Sequence, residues 1–328
     1  MKFTVIIIAH KRKDFILTAV KSVIDQDFPK QNIEIIVIKN FIDKEIDRTL
    51  SQTGVNLIYN ERDGLSDKVK RGIKESHGEM ISLLEDDDFF LSGKLSNIAQ
   101  ILNDNSGLDY IHNEQYSSFK DVVYQRSFYS SLNEDFLLDK ERYPLLKLIG
   151  RALYFNLSSV TISRRLGNEI IRILPDNLIN VVDICIFLIA FEMNDSKIYF
   201  TERKLTTFNV HESSHLTFRE FAYFFGFEKS LSEIEHRELE SIKDATSTAE
   251  SLHCLECLQN SWKLRNSLFS RPSMTLSGRY NLLVNSYLCS VEAINLSSIF
   301  EIFISLLNFI SPQVAARFFF SIRKIRAL

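Results

Sequence analysis

Four consecutive carboxylates, Glu85-Asp86-Asp87-Asp88, close the apolar run that begins Ile81-Ser82-Leu83-Leu84. Like charges in a row repel one another, and a fold that places them at the mouth of a buried strand needs something positive to neutralise them. Carboxylate oxygens suit hard ions such as Mg²⁺ or Mn²⁺, and Mg²⁺ usually binds through one or two carboxylates and the phosphates of a substrate. A solvated acidic turn capping the next helix would produce the same run. Three other places carry reactive groups. Asp183 is a single charge near the middle of the strongly apolar stretch 177–193, and His211 and His215 flank a polar loop, His211-Glu-Ser-Ser-His215. Cys254-Leu-Glu-Cys257, beside His253, has the spacing of half a zinc site, but no second pair stands at a suitable distance, so these cysteines read as thiols of a helical core.

The elements around the acidic run choose between its two readings. Residues 3–9 (FTVIIIA) form a continuous β-branched run bounded by His10-Lys11-Arg12-Lys13, as expected of a buried parallel strand. Residues 14–26 place Phe15, Ile16, Ala19, Val20, Val23 and Ile24 at helical spacing. The cycle repeats, with strands expected at 33–38, 55–59 and 80–84 and helices at 43–50 and 65–74. Such alternation implies right-handed crossovers and a mostly parallel sheet whose ligands bind beyond the carboxyl ends of its strands. The acidic run sits at such an end, which favours the ligand-binding reading over the solvated turn. In extended chain, Glu85 and Asp87 share one side and Asp86 and Asp88 the other. A helix at 92–102, irregular strands over 109–129, a strand at 160–163 and closing strands at 198–200 and 205–210 follow. From residue 216 the pattern is mostly helical.

The whole chain sets the bounds. Its 328 residues suffice for one large domain or a catalytic domain with an appendage, and 45% hydrophobic with 25% charged residues is a globular balance. A net charge of -3 provides no global basic field, so nucleic acid is not the expected partner. Four cysteines and an N-terminus that runs straight into a strand lead to the expectation of a reduced, cytoplasmic setting.

With the elements in order, the chain resembles a family-2 glycosyltransferase of the GT-A fold, a nucleotide-sugar-dependent transferase, over residues 3 to about 215. Thr4-Val-Ile-Ile-Ile-Ala-His-Lys-Arg12 and Ala19-Val-Lys-Ser-Val-Ile-Asp-Gln26 are similar to that family's opening strand, basic turn and helix. Asn60, Gly64-Leu-Ser66, Lys68, Arg71-Gly-Ile73 and Gly78-Glu79 resemble the stretch leading into its metal motif. Leu84-Glu-Asp-Asp-Asp88 resembles the motif itself, with Glu85 in place of the usual leading aspartate.

The resemblance implies an α/β GT-A domain over 1–215, with a nucleotide-sugar half at 1–112 and an acceptor-side half at 113–215, then a helical region over 216–328. It implies Asp87 as the direct ligand of Mg²⁺ or Mn²⁺, Asp88 completing or orienting the site, and Glu85 and Asp86 near the ribose or just behind the ion. Ala9, His10, Arg12, Asn40 and Lys68 fall on the nucleotide side. His211, or failing that His215, would meet the metal or a phosphate oxygen. A cation would stabilise the charge that collects on the leaving diphosphate. A separate carboxylate must take the acceptor proton, and Asp183 occupies the matching place in an inverting reaction. Ser158 and Ser159 would line the acceptor cleft. One departure concerns the donor: Lys39-Asn40 replaces the paired aspartates that usually end the second strand, so uridine and guanosine donors stay unseparated. The acceptor would be a glycan, a lipid-linked molecule or a protein.

Two other classes compete. A sugar nucleotidyltransferase would want a glycine-rich phosphate loop after the opening strand, where this chain has Ala9-His-Lys-Arg-Lys-Asp14. A non-catalytic interaction protein that kept the fold would show no metal-dependent nucleotide binding. In the tail, the apolar run 299–310 is shorter than the ~20 residues of a membrane span and is interrupted by Glu301. Arg317, Arg323, Lys324 and Arg326 follow it, so 296–328 suits a peripheral helix on anionic lipid, packing on the protein, or a homo-oligomer contact.

Overall fold

The computed structural model describes residues 1–10, 13–119, 122–124, 132–210, 221–269, 274–292 and 296–326. In chain order the elements are β1 (Phe3–Ala9), α1 (Ile16–Ile24), β2 (Ile33–Lys39), α2 (Lys44–Gln52), β3 (Asn56–Tyr59), α3 (Leu65–Glu75), β4 (Met80–Glu85), β5 (Phe89–Phe90), α4 (Lys94–Asp104), β6 (Tyr110–Phe119), β7 (Val122–Tyr124), β8 (Phe136–Leu137), α5 (Leu145–Gly150), β9 (Val160–Ser163), α6 (Arg164–Ile173), α7 (Val182–Glu192) and β10 (Ile198–Val210). Five helices follow: α8 (Phe221–Lys243), α9 (Ala249–Phe269), α10 (Leu276–Glu292), α11 (Leu296–Ile310) and α12 (Pro312–Arg326). The chain divides into two compact units, one of residues 1–139 and 154–209, the other of 140–153 and 210–328.

The sheet unit is α/β. Its strands run in the order β3-β2-β1-β4-β9-β6-β10-β5, with β7 beside β6 and β8 beside β10. Parallel pairing joins β1, β2, β3 and β4, while β9 lies antiparallel to both β4 and β6, so the sheet is mixed. Every residue of β1 is buried, as its unbroken apolar sequence demands. The register sets Ile8 opposite Glu85 and Ala9 opposite Lys39, which brings the carboxyl ends of β1, β2 and β4 to one edge. The two closing strands expected at 198–200 and 205–210 are one strand, β10. Its polar middle is held by Asp135, which accepts from the Thr201 hydroxyl and the Glu202 amide, both at 2.8 Å.

A tight lacing fixes the entry to α7. Gly64 precedes α3 so closely to residue 177 that a Cβ there would lie 2.7 Å from the Asn177 Cα. One turn on, Asp67 accepts from the Asn177 amide at 2.8 Å, and Ser66 exchanges two hydrogen bonds with the backbone of Leu178. The Gly64-Leu-Ser66 segment therefore positions the loop that carries Asp183.

In the helical unit Leu264, Leu268, Leu282, Ile304, Ala315, Ala316 and Phe319 form a core shared by α9, α10, α11 and α12. One expectation is corrected here. Cys257 is not a free core thiol beside Cys254; it is disulfide-bonded to Cys289 of α10, with the Cα atoms 5.6 Å apart. Helix packing brings together residues 32 apart in sequence, which local spacing cannot reveal. Cys254 and Cys185 are buried and lie outside that disulfide.

Candidate active site

The acidic run leaves β4 and enters a turn at Asp86 and Asp87, so extended geometry does not persist, yet burial still alternates along it. Asp86 and Asp88 are buried, whereas Glu85 and Asp87 keep part of their surface open. The turn is pinned by backbone bonds from Asp86 to Ile8 and from Asp88 back to Glu85. Asp88 is held on both oxygens: the Asn209 amide donates to Oδ1 at 2.9 Å and Asn156 Nδ2 to Oδ2 at 3.0 Å, with the Ser158 hydroxyl adding a third donor. Even so, burial and the neighbouring charge of Asp87 push its pKa up to about 7. Behind it lies Lys94, wholly buried, donating to the Ser158 carbonyl at 2.7 Å and the Thr206 hydroxyl at 3.0 Å and lying over the Phe90 ring. Burial lowers the Lys94 pKa well below that of a solvated amine, although the charge of Asp88 opposes the shift.

Asn156 joins this group to Asp183. Its side chain donates to Asp88 and, at 2.7 Å, to Gln115 of β6, while its backbone N–H donates to the Asp183 carboxylate. It adopts φ 73° and ψ 107°, a conformation that costs a side-chain-bearing residue roughly 1–3 kcal/mol and persists only where neighbours impose it. Asp183 stands in the opening turn of α7 and also accepts from the Ile184 amide at 2.7 Å. Desolvation outweighs these donors and pushes its pKa up to about 7. The rest of α7 from Ile184 to Phe191 is buried, so the helix is a rigid mount for the one carboxylate at its start.

On the other strands of the same edge, His10, Asn40, Asp63 and Lys68 come together. Asn40 Nδ2 lies 2.8 Å from Asp63 Oδ1 and 3.3 Å from His10 Nδ1, and Lys68 Nζ lies 3.1 Å from the same ring nitrogen and 2.8 Å from the Asp63 carbonyl. Lys68 is fully buried and is not part of a solvated helix face. That description fits Arg71, which is exposed and pairs with Glu75 one turn away. Lys39 turns away from this cluster, buried in an ion pair with Asp47 at 2.8 Å and resting on the Phe41 ring. Ala9 is buried at the end of β1.

Arg12, His211 and His215 lie outside the described residues. Ser158 and Ser159, expected along an acceptor cleft, are instead fully buried. Ser158 Oγ accepts from the Glu85 amide at 3.0 Å, and Ser159 donates to Gln115 at 3.0 Å. Sequence reading missed Asp63, Lys94, Gln115 and Asn156. Asn156 had a local signal, since asparagine tolerates positive φ better than most residues, but Asp63 and Gln115 had none.

Among the described residues no group of three or more His, Cys, Asp or Glu side chains could cage a metal ion. The donor set nevertheless fits a divalent ion of the kind that takes one or two carboxylates and completes its sphere with substrate phosphates and water. Glu85 and Asp87 are the partly open pair, and Asp88 already has protein donors on both oxygens.

Residues 4–161 match the family model described as Glycosyl transferase family 2. The fold is similar to that of S. aureus TarS 1–349 in complex with UDP-GlcNAc, at 16% identity and TM-score 0.55, over 95% of this chain and 81% of that one. It is also similar to the mannosyltransferase PcManGT from Pyrobaculum calidifontis in complex with GDP-Man and Mn²⁺, at 12% identity and TM-score 0.56, over 99% of this chain and 85% of that one. No curated protein matches the chain.

Proposed function

From the premise that this chain is a glycosyltransferase, belonging to glycosyl transferase family 2 through residues 4–161, we propose that it moves a sugar from a nucleoside-diphosphate donor to an acceptor hydroxyl with inversion at the anomeric carbon. The observation that carries the reading is the bridge through Asn156, which ties the acidic run to a second carboxylate of raised pKa. Leaving-group stabilisation and proton removal need two separate groups in fixed relation. Asp88 and Asp183 are fixed to one residue.

In this reading His10, Asn40, Asp63 and Lys68 receive the nucleotide, with Ala9 at the strand end beneath it. Their donors and acceptors replace the acidic pair usual at the end of the second strand. Glu85 and Asp87 would hold Mg²⁺ or Mn²⁺, backed by Asp86 and oriented by Asp88. A divalent ion at that position would neutralise charge gathering on the departing diphosphate. Asp183 takes the proton as the acceptor oxygen bonds to the anomeric carbon and the bond to the diphosphate oxygen breaks. A carboxylate of pKa about 7 is basic enough to assist and is still substantially ionised at neutral pH. Lys94 would brace the segment behind Asp88 through its bonds to Ser158 and Thr206. The two similar structures hold a UDP-sugar and a GDP-sugar, so these are the donors to try, with acceptors from glycan, polysaccharide or glycolipid assembly.

The test is a panel of UDP- and GDP-sugars with Mn²⁺ or Mg²⁺, read by donor hydrolysis and by thermal stabilisation. At least one donor should be hydrolysed in a metal-dependent way, and Asp87→Ala should abolish that hydrolysis. Silence across the panel with both metals, or full activity in Asp87→Ala, rejects the proposal and leaves a fold retained for binding alone.

A further inference from the structure

Beside its apolar core the helical unit also buries a set of polar side chains, while one face of α11 leaves apolar groups outside. On α11, Ser305 and Asn308 are buried, Ser305 bonding to Ser286 of α10 at 2.7 Å and Asn308 Nδ2 donating to Ser267 of α9 at 2.9 Å. Ser286 in turn accepts from Asn260 at 3.1 Å. Glu301, the acidic residue of α11, is turned the same way, accepting a hydrogen bond from Ser261, and burial raises its pKa. Arg279 of α10 donates to the Asn308 and Phe309 carbonyls at the end of α11, where a cation is favoured.

The opposite face is apolar and open. Ile299, Phe303, Leu306 and Ile310 repeat at helical spacing with exposures of 56%, 43%, 43% and 70%. Phe303 stacks edge-on against Phe318 of α12 at 5.2 Å, so the exposed face continues through Val314 and Phe318 onto the next helix. A contiguous apolar patch of this kind marks a surface that meets something. The sequence of α12 holds Arg317, Arg323, Lys324 and Arg326 and no acidic residue, a charge balance that suits a negatively charged partner. A two-fold contact with a second copy would set that basic helix against itself. A bilayer span is also ruled out for these elements, since no described helix is long and apolar enough to cross a membrane.

We propose that α11 and α12 form a peripheral docking face for an anionic lipid surface, with the apolar row entering the boundary between headgroups and acyl chains and the net positive charge of the α12 sequence drawing the face to lipid phosphates. The inward polar groups add hydrogen bonds among α9, α10 and α11 beside the apolar core, and the outer row of α11 stays open. Tyr280 and Tyr287, more than half exposed on α10, suit the rim of such a face.

The full-length chain is tested by flotation with vesicles of phosphatidylcholine alone or containing about a third phosphatidylglycerol. Binding should be strong to the anionic vesicles and weak to the neutral ones. The double variant F303D/I310D should lower the bound fraction about tenfold or more, with unchanged circular dichroism. The triple variant R323A/K324A/R326A, which leaves the apolar row intact, should lose the preference for anionic lipid. Donor hydrolysis in free solution is read alongside and should persist in both variants, so this proposal and the catalytic one fail separately. Absence of wild-type binding to anionic vesicles overturns the proposal. So does binding that neither variant alters, and so does a wild-type dimer that F303D/I310D dissociates without changing vesicle binding.

Discussion

The sheet unit and the helical unit both bury polar side chains, but toward different ends. In the sheet unit Asn156 and Ser158 donate to the Asp88 carboxylate, Gln115 accepts from Asn156, and the apolar residues fill the core around them. In the helical unit Ser305 bonds Ser286 and Asn308 bonds Ser267, and a row of apolar residues is left outside. What separates the cases is that the sheet unit's network joins two carboxylates, Asp88 and Asp183, through Asn156, whereas in the helical unit Glu301 bonds only to Ser261 among the interactions described above.

That contrast can be broken by substitution, and the largest effect is expected at Asp183. Asp183→Asn should lower kcat about 10²–10⁴-fold, as for loss of a general base, without lowering the unfolding midpoint at neutral pH. A fall in stability matching the fall in rate would place Asp183 with the structural networks instead.

The helical counterpart should do the reverse. Replacing both Cys257 and Cys289 by serine opens a cross-link between residues 32 apart and should cost about 3–4 kcal/mol in urea unfolding under oxidising conditions. Donor hydrolysis well below the unfolding temperature should be unchanged. Lost hydrolysis in the folded variant would show that the helical unit also takes part in chemistry.

Asn156 sharpens the comparison because its strain and its hydrogen bonds can be separated. Asn156→Gly relieves the positive φ but removes both side-chain donations, so stability should move by less than about 1 kcal/mol while kcat falls about tenfold or more. Asn156→Ala should show the same kinetic loss plus roughly 1–3 kcal/mol of destabilisation. Equal activity in all three proteins would reduce Asn156 to a turn residue.

The smallest effect is the pH dependence of stability. Asp183 has a folded pKa of about 7 against an ordinary 3.8, so the folded state holds its proton more tightly. Its contribution is complete below about pH 4 and is lost as pH rises through 7. Wild-type protein should thus lose more stability between pH 5 and 8 than Asp183→Asn does, by about 1–2 kcal/mol after solvent screening. Parallel stability curves would mean that the carboxylate is not desolvated.

Much of the parallel half of the sheet was readable from sequence because β1, β2 and β4 are short apolar runs separated by helix-period segments, each pattern pointing to one answer. The alternation of Glu85 to Asp88 matches the pattern expected of an extended chain, but a turn produces it, because β4 ends at Glu85 and the Asp88 amide bonds back to the Glu85 carbonyl. β6 was harder, since His112, Asn113, Gln115, Ser117 and Ser118 read as an irregular polar edge yet are buried in mid-sheet. Gln115 accepts from Asn156 and Ser159, and His112 contacts the Phe155 carbonyl at 2.8 Å. These partners lie 41–44 residues away, beyond any local pattern. Lys68 was obscured by Lys70, Arg71 and Lys74, which make its helix look uniformly solvated. The stripe of Glu301, Ser305 and Asn308 was visible, but periodicity says only that a helix has two faces, not which one meets water.

The bond from Asn209 to Asp88 has a consequence for how this site would respond to mutation. The donor is the backbone amide of β10, not the asparagine side chain. Any residue but proline supplies the same N–H. An alanine at position 209 would remove only the bond its side chain accepts from the Ser118 hydroxyl and would leave the bond to the carboxylate in place. Part of this centre is thus encoded in the path of the chain and is invisible to methods that register only side-chain identity.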